Sequence, residues 1–345
     1  MIFLRRLLKV FVGFMLAFLL FFITMYFTTK GEHEVMPTVE QHEEATGTEI
    51  NEYFFHTQTY GDSSKPKVIV LHGGPGYDFR YLLSLRALAD DYHVIFYDQR
   101  GSGLSPRVHP DALTIDQATK DLGAVIDHYS PGETAFLIAH SWGGLISSHY
   151  VAKHPDKVEK LALLEPEFLT GNAALQYFEN VNFLRPQFSF KTLATMTKSW
   201  FESLHVKEPD KQASPDFFME KIMLAFQQPY HPLYHAFCHN EDTLEFTNWR
   251  YGAMASGNLI GNLFDAQGNL IFEEVDGLKD YKKTVLFVTG DCNKLFGQEF
   301  QETHHLDLFR NARLINIQNA GHFMMLDKRK EVIKTLRDYF KQADL

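Results

Sequence analysis

Apolar residues are distributed along this chain in two distinct ways. Residues 10–27 form one block of 18 without a single charge. At ~1.5 Å of rise per residue such a block spans ~27 Å as a helix, enough to cross the hydrocarbon of a bilayer. Beyond residue 53 the apolar positions instead form short β-branched and aromatic runs bounded by glycine turns, at 67–71, 93–97, 135–139, 161–164, 284–289 and 314–317. Runs of this length and composition predict buried parallel strands. The stretches between the first four, 81–91, 114–129 and 144–154, have helical length, and their alternation with strands predicts an α/β fold with helices on both faces of a mostly parallel sheet. Between residues 166 and 280 strand runs give way to helical spacing, as in Phe217, Phe218, Ile222, Met223 and Phe226. A mainly helical cap inserted in the core, itself 51–165 and 281–345, is the expected organisation.

Charge separates the N-terminal segment from the rest. The net charge is −10, yet the only charged residues among the first thirty are Arg5, Arg6, Lys9 and Lys30. Cations precede the apolar block, and the stretch from Gly31 to Lys65 carries seven glutamates with no arginine and no lysine before Lys65. The expected topology is a transmembrane anchor at 1–30, cytoplasmic at its N-terminus, an acidic solvated tether at 31–50 interrupted by Pro37, and a body outside the cell. A cleaved signal peptide fits less well, because the block is long and ends in the bulky Met25, Tyr26 and Phe27. An acidic body repels a phosphate backbone, which argues against nucleic acid as a partner. The cysteines, Cys238 and Cys292, could form one disulfide in an oxidising compartment or remain two buried thiols.

Candidate chemistry concentrates in four segments. Ala139-His140-Ser141-Trp142-Gly143-Gly144 follows a strand run and opens a helical stretch, a turn that holds a serine exposed above a sheet; Ala139 stands where a glycine is usual. His72-Gly73-Gly74-Pro75-Gly76 follows the first strand run and can turn an N–H toward a substrate oxygen, so the Gly74 and Trp142 amides are the expected oxyanion donors. Asp98-Gln99-Arg100-Gly101-Ser102-Gly103 reads as a structural turn beneath them. Asn319-Ala320-Gly321-His322 lies in a loop after a strand run, from which His322 can reach Ser141. His231, His235 and His239, with Cys238, recur at helical spacing, but Pro232 and the aromatic neighbours favour packing in the cap over zinc, so no metal and no cofactor are expected.

Taken in order, these segments resemble the α/β-hydrolase superfamily, and within it the proline iminopeptidase-like serine peptidases. That resemblance implies an acyl-enzyme mechanism, a Ser–acid–His triad in chain order, and a cap over small substrates. The sequence departs from the pattern at the acid: Asn293 occupies the usual aspartate position. Asp291 is the first substitute and Glu165, at the end of a strand run, the alternative. The resemblance further implies a short peptide whose amine is held by a carboxylate, for which the cap offers Glu179, Glu202, Glu220, Glu241 and Glu245. An esterase or lactonase would use the same triad without an amine site. A catalytically silent hydrolase-like binding protein is the reading from a different class, motivated by Asn293.

Overall fold

A computed structural model describes residues 2–42, 46–181, 190–207, 209–228, 231–238 and 247–342. The chain begins with α1 (Ile2–Thr28), then β1 (His33–Glu34), β2 (Gly47–Ile50), β3 (Tyr53–Tyr60), β4 (Lys67–Leu71), β5 (His93–Tyr97), α2 (Ile115–Tyr129), β6 (Ala135–His140), α3 (Trp142–Lys153) and β7 (Val158–Leu164). The inserted region carries α4 (Gly171–Val181), α5 (Phe190–Ser203), β8 (Val206–Lys207), α6 (Ala213–Phe226), α7 (Pro232–Phe237) and α8 (Ala253–Gly261). The core closes with β9 (Val285–Gly290), α9 (Gln298–His304), β10 (Ala312–Ile317), α10 (Met324–Asp327) and α11 (Arg329–Phe340).

The main sheet has eight strands in the order β2-β3-β5-β4-β6-β7-β9-β10. From β5 to β10 every pairing is parallel, and β3 and β2 add an antiparallel edge. The strand runs are unbroken rather than alternating because both faces are covered. Val68, Val70, Val94 and Phe96 pack with Phe79, Leu82 and Leu336 on one side, whereas Ile69, Leu71, Ile95 and Leu137 pack with Val125, Leu145 and Ile146 on the other. The stretch expected as a helix at 81–91 is a 3₁₀ helix, Phe79–Asp90, whose start is capped by the Asp78 carboxylate accepting from the Arg80 N–H. All six parallel strands point their C-terminal ends toward the inserted helices, which sets the cleft between sheet and cap.

The acidic segment after α1 does not behave as a solvated tether. Thr38 and Val39 are buried, the Val39 N–H donates to the Leu104 carbonyl at 2.9 Å, and the Met36 carbonyl accepts from Arg250 at 3.2 Å. β1 pairs in parallel with β8 of the cap. A strand needs only a free edge and a few apolar anchors to dock, and a short low-hydropathy segment gives no periodicity from which to foresee it.

Candidate active site

Ser141 sits between β6 and α3 with φ 54° and ψ −122°, a region that side chains avoid unless the surroundings impose it. The imposition is steric. Gly143, two residues on, runs so close to β4 that an added Cβ would lie 2.8 Å from the His72 carbonyl oxygen and 2.9 Å from that of Leu71. Ala139 is fully buried within β6, so its single methyl group is accommodated where the usual pattern has glycine. The glycine loop after β4 closes over the serine: Gly74 has φ 131°, and a Cβ on Gly73 would be 2.8 Å from Ser141 Cβ. The Trp142 amide belongs to the first turn of α3, whose leading N–H groups have no carbonyl partner within the helix. Gly74 and Ser141 line the same cavity, and Trp142 follows Ser141 at the start of α3.

His322 reaches the same point from the loop after β10. Its Nε2 lies 3.1 Å from Ser141 Oγ, and its Nδ1 lies 2.8 Å from Glu165 Oε2. Of the two carboxylates read from the sequence, it is therefore Glu165 that meets the imidazole. Glu165 leaves β7 with φ 42° and is fully buried. Its Oε1 accepts from the Gly290 N–H at 2.7 Å, and its Oε2 also accepts from Asn293 Nδ2 at 2.5 Å. Asp291 is exposed and turned away, accepting from the Ala320 N–H at 3.3 Å. The loop after β9 gives the reason: Asn293 is buried with its Oδ1 accepting from the Leu295 and Phe296 amides, which directs its NH₂ at Glu165 and fills the space an aspartate would use.

Burial shapes the ionisation of these groups. It lowers His322 to about 3, so the imidazole is neutral, the form a general base requires. It pushes Glu165 upward, and the N–H donors from Gly290 and Asn293 oppose that rise by favouring the carboxylate.

Sequence reading missed three participants. Glu167 is buried beside the serine, its Oε1 3.1 Å from Ser141 Oγ, and burial raises it to about 8. Only the Glu165-Pro166-Glu167 spacing could have suggested it. Tyr81 and His140 form a relay under the site. The Gly73 N–H donates to Tyr81 Oη at 2.7 Å, Tyr81 Oη meets His140 Nδ1 at 2.7 Å, and His140 Nε2 meets the His322 carbonyl at 2.9 Å. Since a carbonyl can only accept, Nε2 carries the proton, Nδ1 accepts from the tyrosine, and the glycine loop is tied to the histidine loop.

Of the cap carboxylates, Glu179 is exposed, Glu202 pairs with Lys198, and Glu220 is engaged by Asn248 Nδ2 at 2.8 Å; Glu241 and Glu245 lie outside the described residues. His231 accepts from the Leu233 N–H at the start of α7, while His239 and the side chain of His235 lie outside the described residues. Cys238 and Cys292 are disulfide-bonded, with Cα atoms 5.7 Å apart. The bond fastens the end of α7 to the loop after β9, and beside it the His322 N–H donates to the Phe237 carbonyl at 2.9 Å. Above Ser141 the cap and core enclose a cavity of about 540 Å³, lined largely by apolar side chains including Tyr77, Tyr177, Met219, Met223 and Phe226, with Glu167 at its floor.

Residues 66–329 match the family described as alpha/beta hydrolase fold. Epoxide hydrolase 1 of Caenorhabditis elegans is 24% identical over 304 residues, covering 83% of this chain and 68% of that protein. Proline iminopeptidase of Lactobacillus helveticus (strain DPC 4571) is 24% identical over 292 residues, covering 82% of this chain and 92% of that protein. The solved structure of proline iminopeptidase from Mycobacterium smegmatis superposes with a TM-score of 0.54 at 20% identity, over 86% of this chain and 97% of that one. Relatives at this distance differ in activity among themselves, but the family match spans most of the chain, and with the sheet order and the strand-to-helix turn at Ser141 it makes this protein a member of the α/β-hydrolase family.

Proposed function

We propose that the chain is a serine hydrolase working through an acyl-enzyme, and that it acts as an aminopeptidase on short peptides with an apolar N-terminal residue. The observation that carries this reading is the continuous hydrogen-bond path from Ser141 Oγ through His322 to Glu165. Along that path His322 Nε2 takes the hydroxyl proton as Oγ attacks the acyl carbon. The C–N bond then breaks, the leaving amine takes the proton from the imidazolium, and water repeats the sequence to release the acid. Glu165 orients the ring and stabilises its protonated form. The Gly74 and Trp142 amides are the donors available to the oxyanion.

Glu167 supports the peptidase reading over a plain esterase. In an N-terminal residue the α-ammonium is two bonds from the carbon under attack, so a carboxylate 3.1 Å from the attacking oxygen is within its reach. A serine hydroxyl has one proton to donate, and two acceptors compete for it here. An incoming ammonium would occupy Glu167 and leave the hydroxyl to His322. The apolar cavity lining favours a second reading, an esterase or lactonase for small acyl groups. Supply of an acid by Glu165 argues against a silent binding protein, because Asn293 then no longer signals a missing triad member.

A fluorophosphonate should label the full chain, and Ser141→Ala should abolish labelling; absence of labelling in the native chain would defeat the hydrolase reading. Proline-naphthylamide turnover exceeding that of a simple naphthyl ester is the expected result for the peptidase; the reverse order would favour the esterase. α1, with its uncharged residues 10–27 and exposed phenylalanines, supports a single-pass anchor with the cytoplasm on its N-terminal side and the body outside.

A further inference from the structure

Helix α5 of the cap is built inside out. At 100° per residue, Phe190, Leu193, Trp200 and Phe201 fall within about 100° of arc, and Thr192, Ser199 and Ser203 gather on the opposite side. In a helix on the surface of a water-soluble domain the large apolar stripe faces the core. Here the small hydroxyl residues are the buried ones, at 6%, 3% and 5% exposure, whereas Phe190, Leu193 and Trp200 are 89%, 48% and 42% exposed. Leu204, just past the helix end, continues the stripe at 43%. Small residues toward the neighbouring helix and large apolar ones outward is the arrangement of a helix whose surroundings are lipid.

Phe201 is the exception on that stripe, because α1 covers it. Its ring centroid lies 4.9 Å from that of Phe22 and 6.2 Å from that of Phe21, and Trp200 lies 5.9 Å from Phe22. Further along, the ring of His205 lies 4.4 Å from that of Tyr26, tilted against it, and its Nε2 meets the Tyr26 carbonyl at 2.8 Å. Both contacts advance in the same chain direction, so the residues of α5 before Trp200 run back toward the middle of α1 and not away from it. Phe22 and Tyr26 belong to the last third of the uncharged run 10–27, the part nearest the body, and Phe21 immediately precedes that third. Leu193 is seven residues, about 10 Å, nearer the bilayer side along α5 than Trp200.

We propose that α5 is a membrane-interfacial helix, and that its exposed stripe of Phe190, Leu193, Trp200 and Leu204 is seated in the outer leaflet beside α1. The occupant is lipid, because the stripe is continuous with the α1 contact and the anchor itself delivers α5 to that depth. Trp200 lies where an aromatic ring is favoured, at the boundary of apolar and polar layers. The inference rests on the anchored reading of α1 given above. It adds that the cap is held down on the bilayer, with α6, which packs against α5 and carries Met219, Ile222 and Met223 of the cavity wall, only one helix removed from lipid.

The test uses the full chain in phosphatidylcholine vesicles whose acyl chains carry bromine near the headgroup, a short-range quencher of tryptophan emission. The protein has three tryptophans, Trp142, Trp200 and Trp249. Quenching in the native chain should fall sharply in Trp200→Phe. Adding Leu193→Trp to Trp200→Phe should restore it, with at least about twofold loss of the added emission, as expected for a ring at interfacial depth. Flotation with the vesicles reports α1 separately. A chain that fails to float defeats the anchored reading; one that floats while the tryptophan at 193 stays unquenched overturns the present proposal and leaves the anchor standing. Cross-linking between copies through position 193, without quenching, would assign the stripe to a second copy and equally overturn it.

Discussion

At the scale of single residues, the site turns on which carboxylate faces which partner. Glu165→Gln removes the charge that stabilises the imidazolium and should lower turnover on the order of 10⁴-fold, while Asp291→Asn, altering an exposed group away from the ring, should leave it nearly unchanged. Steady-state kinetics on the two variants decides between them, and equal losses would remove Glu165 from the triad. Glu167→Gln keeps the shape and removes the carboxyl group that can ionise against a bound ammonium. We expect kcat/KM for the amine-bearing substrate to fall on the order of 10²-fold, with ester hydrolysis changed far less, the signature of a lost charge-assisted contact. Burial also ties Glu167 to stability. Its pKa is raised from 4.5 to about 8, so across that window the folded chain retains a proton that the unfolded chain has released. Stability from this source is complete below the lower value and is lost as pH rises through the upper one. Thermal melts from about pH 5 to pH 8 should therefore show a decline that is shallower in Glu167→Gln; an identical slope would contradict the assignment.

At the scale of elements, two junctions hold the site in shape. The first is the turn from β6 into α3, pressed against β4. Gly143→Ala inserts a methyl group 2.8 Å from the His72 carbonyl oxygen, and because that neighbour is backbone it cannot rotate aside. Overpacking of this kind costs about 1–3 kcal/mol, so a lowered melting temperature together with weaker fluorophosphonate labelling is expected. The second junction is the disulfide from α7 to the loop after β9, closing 54 residues of sequence. Cys292→Ser should destabilise the chain by about 2–4 kcal/mol. Because His322 donates to the Phe237 carbonyl on the same seam, KM should rise as well as stability fall. Unchanged KM would mean that the cap is held by its other contacts alone.

At the scale of the whole molecule, α1, the acidic segment and the cap act as one assembly. β1 pairs with β8, the ring of His33 lies 5.4 Å from that of Phe217 of α6, and Arg250 joins Asp210 and Asp216 to the Met36 carbonyl, so the chain between α1 and the core is laid across the cap. Under the anchored reading proposed above, a body fixed this way would be held close to the bilayer and could not swing on a long tether. If α1 spans with its cationic end inside, protease added to intact cells should remove the body and leave a small membrane-bound fragment. An untouched body would reverse the topology.

The sequence by itself determined the periodic elements and the motifs whose chemistry is local. Unbroken strand runs announce a sheet covered on both faces, and a serine between a strand and a helix, followed by glycine, announces the turn that exposes it. His322 was legible for the same reason, since its loop follows a strand and can be measured along the chain. The tertiary structure alone decided the acid, because Asp291 and Glu165 both follow strands and differ only in where neighbouring loops direct them; the amides held by Asn293 and the backbone turn at Glu165 settle that direction. It alone brought Glu167 to the serine, docked the segment after α1 on the cap and turned the apolar stripe of α5 outward. Each of these depends on contacts between residues far apart in the chain, and one-dimensional patterning carries information only about neighbours within a turn or a strand.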